Sequence, residues 1–139
     1  MPAADNKAAV ERARERWNAQ DLRGYLALYD PGAVLHGYPG VEPGFDSIRR
    51  FYEAFCEAFP GSQLSFEDVI AEGDRIAIRF TLNGTHQGEF QGIPATGRPV
   101  MLDGITILRF ANGRCVERWS QPDFAQLLSS LTAPPQSSG

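Results

Sequence analysis

The sequence predicts an α+β domain in which helices come first and a bent, largely antiparallel sheet follows, and three observations carry that prediction. In the N-terminal part apolar residues recur at spacings of three and four, as Val10, Ala13 and Trp17 do and as Ile48, Phe51, Phe55 and Phe59 do again. From Leu64 onward the period falls to two, with Ile76, Ile78, Phe80 and Leu82 set against Ala77, Arg79, Thr81 and Asn83. Two turn sequences, Glu72-Gly73-Asp74 and Ala111-Asn112-Gly113-Arg114, join neighbouring strand patterns; Asn-Gly supplies the positive φ that a tight hairpin needs.

From Ala3 to about Gln20 helix-forming residues dominate, and Val10, Ala13 and Trp17 make one amphipathic stripe. Leu22, Tyr25, Leu26 and Tyr29 continue as a second, shorter helix, which Asp30-Pro31-Gly32 breaks. Ala33 to Tyr38 then reads as a short strand ending at Pro39-Gly40. A longer helix starts near Gly44 to Asp46 and stops before Pro60, and its broad aromatic face needs a large curved surface to cover it. Pro122 and Asp123 open a closing helix with Phe124, Leu127, Leu128 and Leu131 as its apolar stripe. The domain is expected to span residues 1–131, with 132–139 a disordered Pro/Ser/Gly tail.

A chain of 139 residues is one domain and buries roughly 68% of the surface its unfolded form exposes. A net charge of -4, with Lys and Arg scattered, gives no electrostatic footprint for nucleic acid. No apolar run approaches the ~20 residues of a membrane span, and Met-Pro-Ala-Ala-Asp-Asn-Lys lacks the apolar core of a signal peptide, so a cytoplasmic protein is expected. Cys56 and Cys115 stand apart, with no histidine at ligand spacing; they read as reduced core thiols and no metal site is expected.

The run T-H-Q-G-E-F-Q-G-I-P-A-T-G-R-P-V from Thr85 to Val100, followed by E-R-W-S-Q-P-D-F from Glu117 to Phe124, resembles the SnoaL-like polyketide cyclases. Their pattern is G-T-H-x-G-x-F-x-G-I-P-x-T-G-R, a long strand, a D/N-G-R turn, a strand ending in E-x-W and a closing amphipathic helix. The resemblance covers nearly the whole chain and is strongest from Gly73 to Leu131. It implies the nuclear transport factor two-like cone, a barrel made of a strongly curved sheet covered by the N-terminal helices and closed by the C-terminal one. It also implies a deep apolar pocket, a homodimer, a hydrophobic small-molecule substrate, and ring closure by intramolecular aldol condensation without metal or cofactor. A carboxylate base takes a proton from a carbon flanked by carbonyls, while hydrogen-bond donors hold the enolate.

Carried over by position, the family's aspartate base falls on Ser120 and its partner histidine on Thr106. Both are neutral hydroxyls here, which donate and accept hydrogen bonds but do not act as a base unaided. Two candidates replace the catalytic group. His36, beside Tyr38, is the candidate base by residue type, imidazole being the side chain whose ordinary pKa lies nearest neutrality, or else it is a hydrogen-bonded structural residue. Asp123 lies three residues beyond Ser120, where Ser120-Gln121-Pro122-Asp123 also reads as a helix capping box. His86, next to a turn glycine, reads as tying down a loop. Arg118 shares a face with Ser120 by strand alternation, where it holds an enolate or carboxylate or else pairs with Glu117 or Asp123. By the same parity Leu102, Gly104 and Thr106 face the pocket and Trp119 faces away. Trp17 and Tyr25 approach from the helix side, and Trp17, Tyr38, Thr106, Arg118 and Ser120 form the expected substrate-binding set.

Three functions fit: a cyclase with His36 or Asp123 as base, an auxiliary component of polyketide hydroxylation beside a reductase, or a non-catalytic carrier of a flat hydrophobic ligand. Epoxide hydrolysis of the Arg-x-Asp type fits poorly, because Arg79-Phe80-Thr81 has the arginine without the aspartate. Ketosteroid-type isomerisation lacks a placed pair of acids.

Overall fold

A computed structural model describes residues 3–38, 40–122 and 124–132. Helices α1 (Ala3–Asn18) and α2 (Leu22–Leu26) lead into strand β1 (Tyr29–His36) and helix α3 (Phe45–Ala58). Strands β2 (Gln63–Glu72), β3 (Arg75–Thr85), β4 (Pro99–Ala111) and β5 (Arg114–Pro122) follow, and α4 (Phe124–Thr132) comes last. The five strands form one sheet in the order β1-β5-β4-β3-β2. Its contacts are antiparallel except for the parallel pairing of β1 with β5.

Two bulges bend this sheet. Register shifts between Phe66 and Asp68 on β2, and between Arg109 and Phe110 where β4 meets β5. An extra residue on one strand increases local twist and curls the sheet toward the helices. Gly104 tightens the same curve, since a Cβ there would lie 2.6 Å from the end of the Phe80 ring.

Alternation across the sheet sorts the two faces. On the inner face, Leu35, Arg118, Leu108, Ile76 and Ala71 stand side by side, with Ser120, Thr106, Ile78 and Val69 in the next inward row. The outer face carries His36, Trp119, Ile107, Ala77 and Ile70 in one row. Val10, Ala13 and Trp17 of α1, with Ile48, Tyr52 and Phe55 of α3, are buried against the inner face.

The elements follow the sequence pattern with five differences, two of them at element ends: β1 stops at His36 rather than Tyr38, and Pro122 closes β5 instead of opening the last helix, which starts at Phe124. β1 begins at Tyr29, not Ala33, because α2 stops at Leu26 and Cys115 N–H donates to the Leu28 carbonyl at 2.8 Å, starting the pairing with β5. Pro31 is tolerated there because β1 is an edge strand and its register is interrupted between Tyr29 and Val34. The α3 stripe runs through Tyr52, while Phe51 is only partly buried. Thr132 ends α4 instead of opening the tail; residues 133–139 lie outside the described residues.

Candidate functional site

Between the helices and the inner face of the sheet lies a cavity of about 80 Å³, room for on the order of five waters. Its wall is mostly apolar, with Val10, Trp17, Phe55, Phe66, Ile78 and Leu102 among the residues facing it. Trp17 is fixed by donating from Nε1 to Ser62 Oγ at 3.2 Å and by an edge contact with Tyr25, ring centres 5.0 Å apart.

The polar part of the wall is built around Arg118. Strand alternation turns Arg118 inward, where its Nε donates to Thr106 Oγ1 at 2.9 Å. Its Nη1 is shared among the hydroxyls of Tyr29 at 2.6 Å, Tyr25 at 3.1 Å and Tyr52 at 3.3 Å. The Tyr38 ring lies 5.8 Å from the guanidinium carbon. α2, β1, α3 and the segment after β1 thus each contribute one tyrosine.

Hydrogen-bond stoichiometry orients the hydroxyls. Thr106 Oγ1 donates to the Trp119 carbonyl at 3.0 Å, and a hydroxyl has a single proton to give. The 2.7 Å contact between Ser120 and Thr106 is therefore donated by Ser120, and the 2.9 Å contact between Tyr38 and Ser120 by Tyr38. Tyr52 donates to Tyr38 at 3.4 Å, Tyr29 to Tyr52 at 2.9 Å and Tyr25 to Tyr29 at 2.8 Å. One directed chain of six hydroxyls, Tyr25 to Tyr29 to Tyr52 to Tyr38 to Ser120 to Thr106, ends on a backbone carbonyl.

Burial pushes the phenols of Tyr29 and Tyr52 well above the usual range and raises Tyr38, with Arg118 working against the shift in each case. They are neutral donors at pH 7. Burial opposes the charge on Arg118 while the surrounding tyrosines favour it, and its pKa is held well above the ordinary arginine value. The guanidinium stays charged.

Trp17, Tyr38, Thr106 and Arg118 line the cavity, and Ser120 is tied to it through Tyr38 and Thr106. The two positions at which the resemblance places the family's catalytic pair, 106 and 120, are cross-strand partners. Leu102 faces the cavity, and Gly104 gives its place to the Phe80 ring.

The candidate base His36 is placed elsewhere. Its side chain is 45% exposed on the outer face, 2.8 Å from Glu117 and stacked on Trp119 with ring centres 5.5 Å apart. Parity explains this: Ala33 and Leu35 point inward, so His36 points out. Asp123 lies outside the described residues. Ser120 does not stand at a helix N-terminus, as the capping-box reading requires, because it lies within β5 and α4 begins only at Phe124; its hydroxyl bonds Tyr38 and Thr106. Glu117 is no partner for Arg118 either, because it faces outward to His36 and Arg109. His86 is buried in the loop before β4. Its Nδ1 accepts from Thr96 N–H at 3.2 Å, fixing the proton on Nε2, so the imidazole holds the loop together.

Sequence reasoning overlooked Tyr29 and Tyr52 as part of this cluster. The signal was present for Tyr52, since Ile48, Tyr52, Phe55 and Phe59 keep helical spacing as well as the stripe through Phe51 does.

The SnoaL-like polyketide cyclase family profile matches residues 7–131. Aklanonic acid methyl ester cyclase DnrD of Streptomyces peucetius is 26% identical over 112 residues, 79% of this chain and 75% of that protein. AclR, a candidate hydroxylase from Streptomyces galilaeus, superposes with a TM-score of 0.85 at 34% identity, over 96% of this chain and all 100% of its own. A candidate SnoaL-like polyketide cyclase from Jannaschia sp. CCS1 superposes with a TM-score of 0.84 at 27% identity, over 97% of each chain. The curved sheet wrapped on its helices is the nuclear transport factor two-like cone. From its helices to the strand pair that carries Thr106 and Ser120, this chain belongs to the SnoaL-like polyketide cyclase family.

Proposed function

We propose that the cone binds a flat hydrophobic polyketide-type or polycarbonyl molecule, its rings against the apolar wall and its oxygens toward Arg118 and the hydroxyls. The observation that supports this most is the meeting of the two surfaces in one cavity, apolar from Trp17 to Leu102 and polar at Thr106, Tyr38 and Arg118.

The reaction proposed is cofactor-independent intramolecular aldol closure with Asp123 as the base. Among the described cavity-lining residues there is no carboxylate or imidazole, and Asp123 follows Pro122, which lines the cavity. The test is incubation with aklanonic acid methyl ester, the compound in the name of the Streptomyces peucetius relative, followed by chromatography for the ring-closed product. Asp123→Asn is expected to slow closure by roughly 10²–10⁴. Undiminished closure removes Asp123 from the mechanism, and tight retention without closure leaves a carrier.

The replacement of the family's acid and imidazole by Ser120 and Thr106 also favours an auxiliary role in hydroxylation. Oxidation of a reduced nicotinamide only with both this protein and a partner reductase present is the outcome expected of that reading. Homodimerisation through the outer face of the sheet is proposed from the exposed Met101, Ile105 and Ile107 of β4 and Ile70 of β2. Free Cys56 and Cys115, each pushed up to about 11 by burial and so protonated at neutral pH, support a cytoplasmic setting.

A further inference from the structure

Arg118 is a cation held among neutral groups. The oxygens it bonds are the hydroxyls of Thr106, Tyr25, Tyr29 and Tyr52, and among the described residues no carboxylate is within ion-pair reach. Its sequence neighbour Glu117 is spent on Arg109 at 3.1 Å and His36 at 2.8 Å across the sheet. A guanidinium taken out of water without a counter-charge is costly, and this one cannot shed its proton. No hydrogen bond from Nη2 occurs among the described residues, although Nε and Nη1 are fully engaged. Arg118 is only part-buried and lines the cavity, which leaves Nη2 as its donor group not spent on a described residue.

The hydroxyl chain sharpens this. Each of its six protons is committed to the next oxygen and the last to the Trp119 carbonyl, so no hydroxyl has a proton to spare for a ligand. Among the described residues, what the polar wall offers is an unneutralised positive charge and the two N–H groups of Nη2. We propose that this end of the cavity is an anion subsite, taking the ligand through an ionised oxygen, enolate, phenolate or carboxylate, carried on a flat apolar frame. The assignment rests on the ligand-binding reading above and specifies the charge state in which the ligand is held.

An acid bound there ionises more readily than in water, since an opposite charge within hydrogen-bond reach lowers a pKa by about 1–3 units. For a polycarbonyl compound this is the step that forms the enolate: the ligand's O–H loses its proton to solvent or base, and the oxygen left behind is held by Nη2. Among the described residues, the titratable groups facing Arg118 are Tyr25 from α2, Tyr29 from β1, Tyr52 from α3, Tyr38 after β1, and Cys115 on β5, and Arg14 of α1 is the other charged group on the cavity wall. Tyr29, Tyr38, Tyr52 and Cys115 all ionise above the ordinary range for their type, which leaves the window below about pH 9 to the ligand.

The experiment compares three probes of one shape: anthraquinone, 2-hydroxyanthraquinone and anthraquinone-2-carboxylate. The visible colour change of 2-hydroxyanthraquinone on ionisation is titrated free and bound to the wild-type protein. The bound transition is expected to move to lower pH by about 1–3 units. Arg118→Met is expected to return it to the free value and to weaken both acidic probes roughly ten- to a hundredfold, and anthraquinone, which offers only neutral carbonyl oxygens, distinctly less. Whichever acidic probe loses more identifies phenolate or carboxylate as the preferred source of the oxygen. A bound transition that is unmoved or moves upward overturns the anion subsite while the ligand-binding reading stands. Equal weakening of all three probes by Arg118→Met does the same. Failure of all three to bind overturns the ligand-binding reading and the subsite with it. Should Arg118→Met fail to fold, the wild-type titration decides alone.

Discussion

Thr106 answers three demands at once, donating to the Trp119 carbonyl while accepting from Arg118 Nε and from Ser120. Valine has its shape and none of these bonds. Thr106→Val leaves buried polar groups unpaired, at about 1–3 kcal/mol for each. A fall of several degrees in melting temperature by calorimetry is expected, and a change of less than about one degree would mean that the network does not hold the site. Glu117 sets a different dependence. Hydrogen bonds from His36 and then Arg109 lower its pKa below the ordinary glutamate value of 4.5, so the unfolded state binds the proton more tightly. That stability is present above pH ~4.5 and is lost as pH falls through the lowered folded value. Urea titrations between pH 6 and 3 are expected to show a smaller acid-side loss in Glu117→Gln than in wild type. At this scale strand parity placed Arg118 beside Ser120 and sent Trp119 outward. His36 was harder to place, because Val34 is apolar like Ala33 and Leu35 and blurs which residues of β1 face in. The tyrosines meet through packing of four separate segments, which no local spacing encodes.

The elements themselves were legible wherever period and punctuation agreed. Asn112-Gly113 turns β4 into β5, and Ile76, Ile78, Phe80 and Leu82 are the buried side of β3, as alternation requires. Where signals conflicted, tertiary pairing decided. Asp30-Pro31-Gly32 reads as a break, yet it lies within β1, since an irregular edge strand needs no N–H from Pro31. Curvature was not legible, because a bulge is visible only once two strands are in register. It depends on Gly104, where a Cβ would meet the Phe80 ring at 2.6 Å and Pro122 Cα at 2.9 Å. Gly104→Ala is expected to destabilise by about 1–3 kcal/mol through overpacking, read as a lower urea midpoint with an unchanged slope. An unaffected midpoint would show that the sheet relaxes there freely.

For the molecule as a whole, one sheet separates two surfaces of different purpose. Its inner face meets the helices around the cavity; its outer face leaves Ile70 66% and Ile105 58% exposed, flanked by charged pairs such as Arg79 with Asp68. Ile107→Asp is expected to shift the protein from dimer to monomer in sedimentation velocity with its circular dichroism intact; a wild-type monomer at tens of micromolar would remove the proposed interface. The fold was readable because pattern, turns and family motif agree over most of the chain. The chemistry was less so, because positions 120 and 106, where the resemblance places an acid and an imidazole, hold hydroxyls here, while Arg118 is a charged group of the cavity wall. The chain's two tryptophans, Trp17 on the cavity wall and Trp119 on the outer face, allow ligand binding inside the cone to be tested in one spectrum. Protein labelled with 5-fluorotryptophan is titrated with 2-hydroxyanthraquinone and followed by fluorine NMR, with Trp119→Phe assigning the signals. Binding in the cone predicts a saturable shift of the Trp17 resonance with Trp119 nearly still. Movement of Trp119 alone, or of neither, would contradict it.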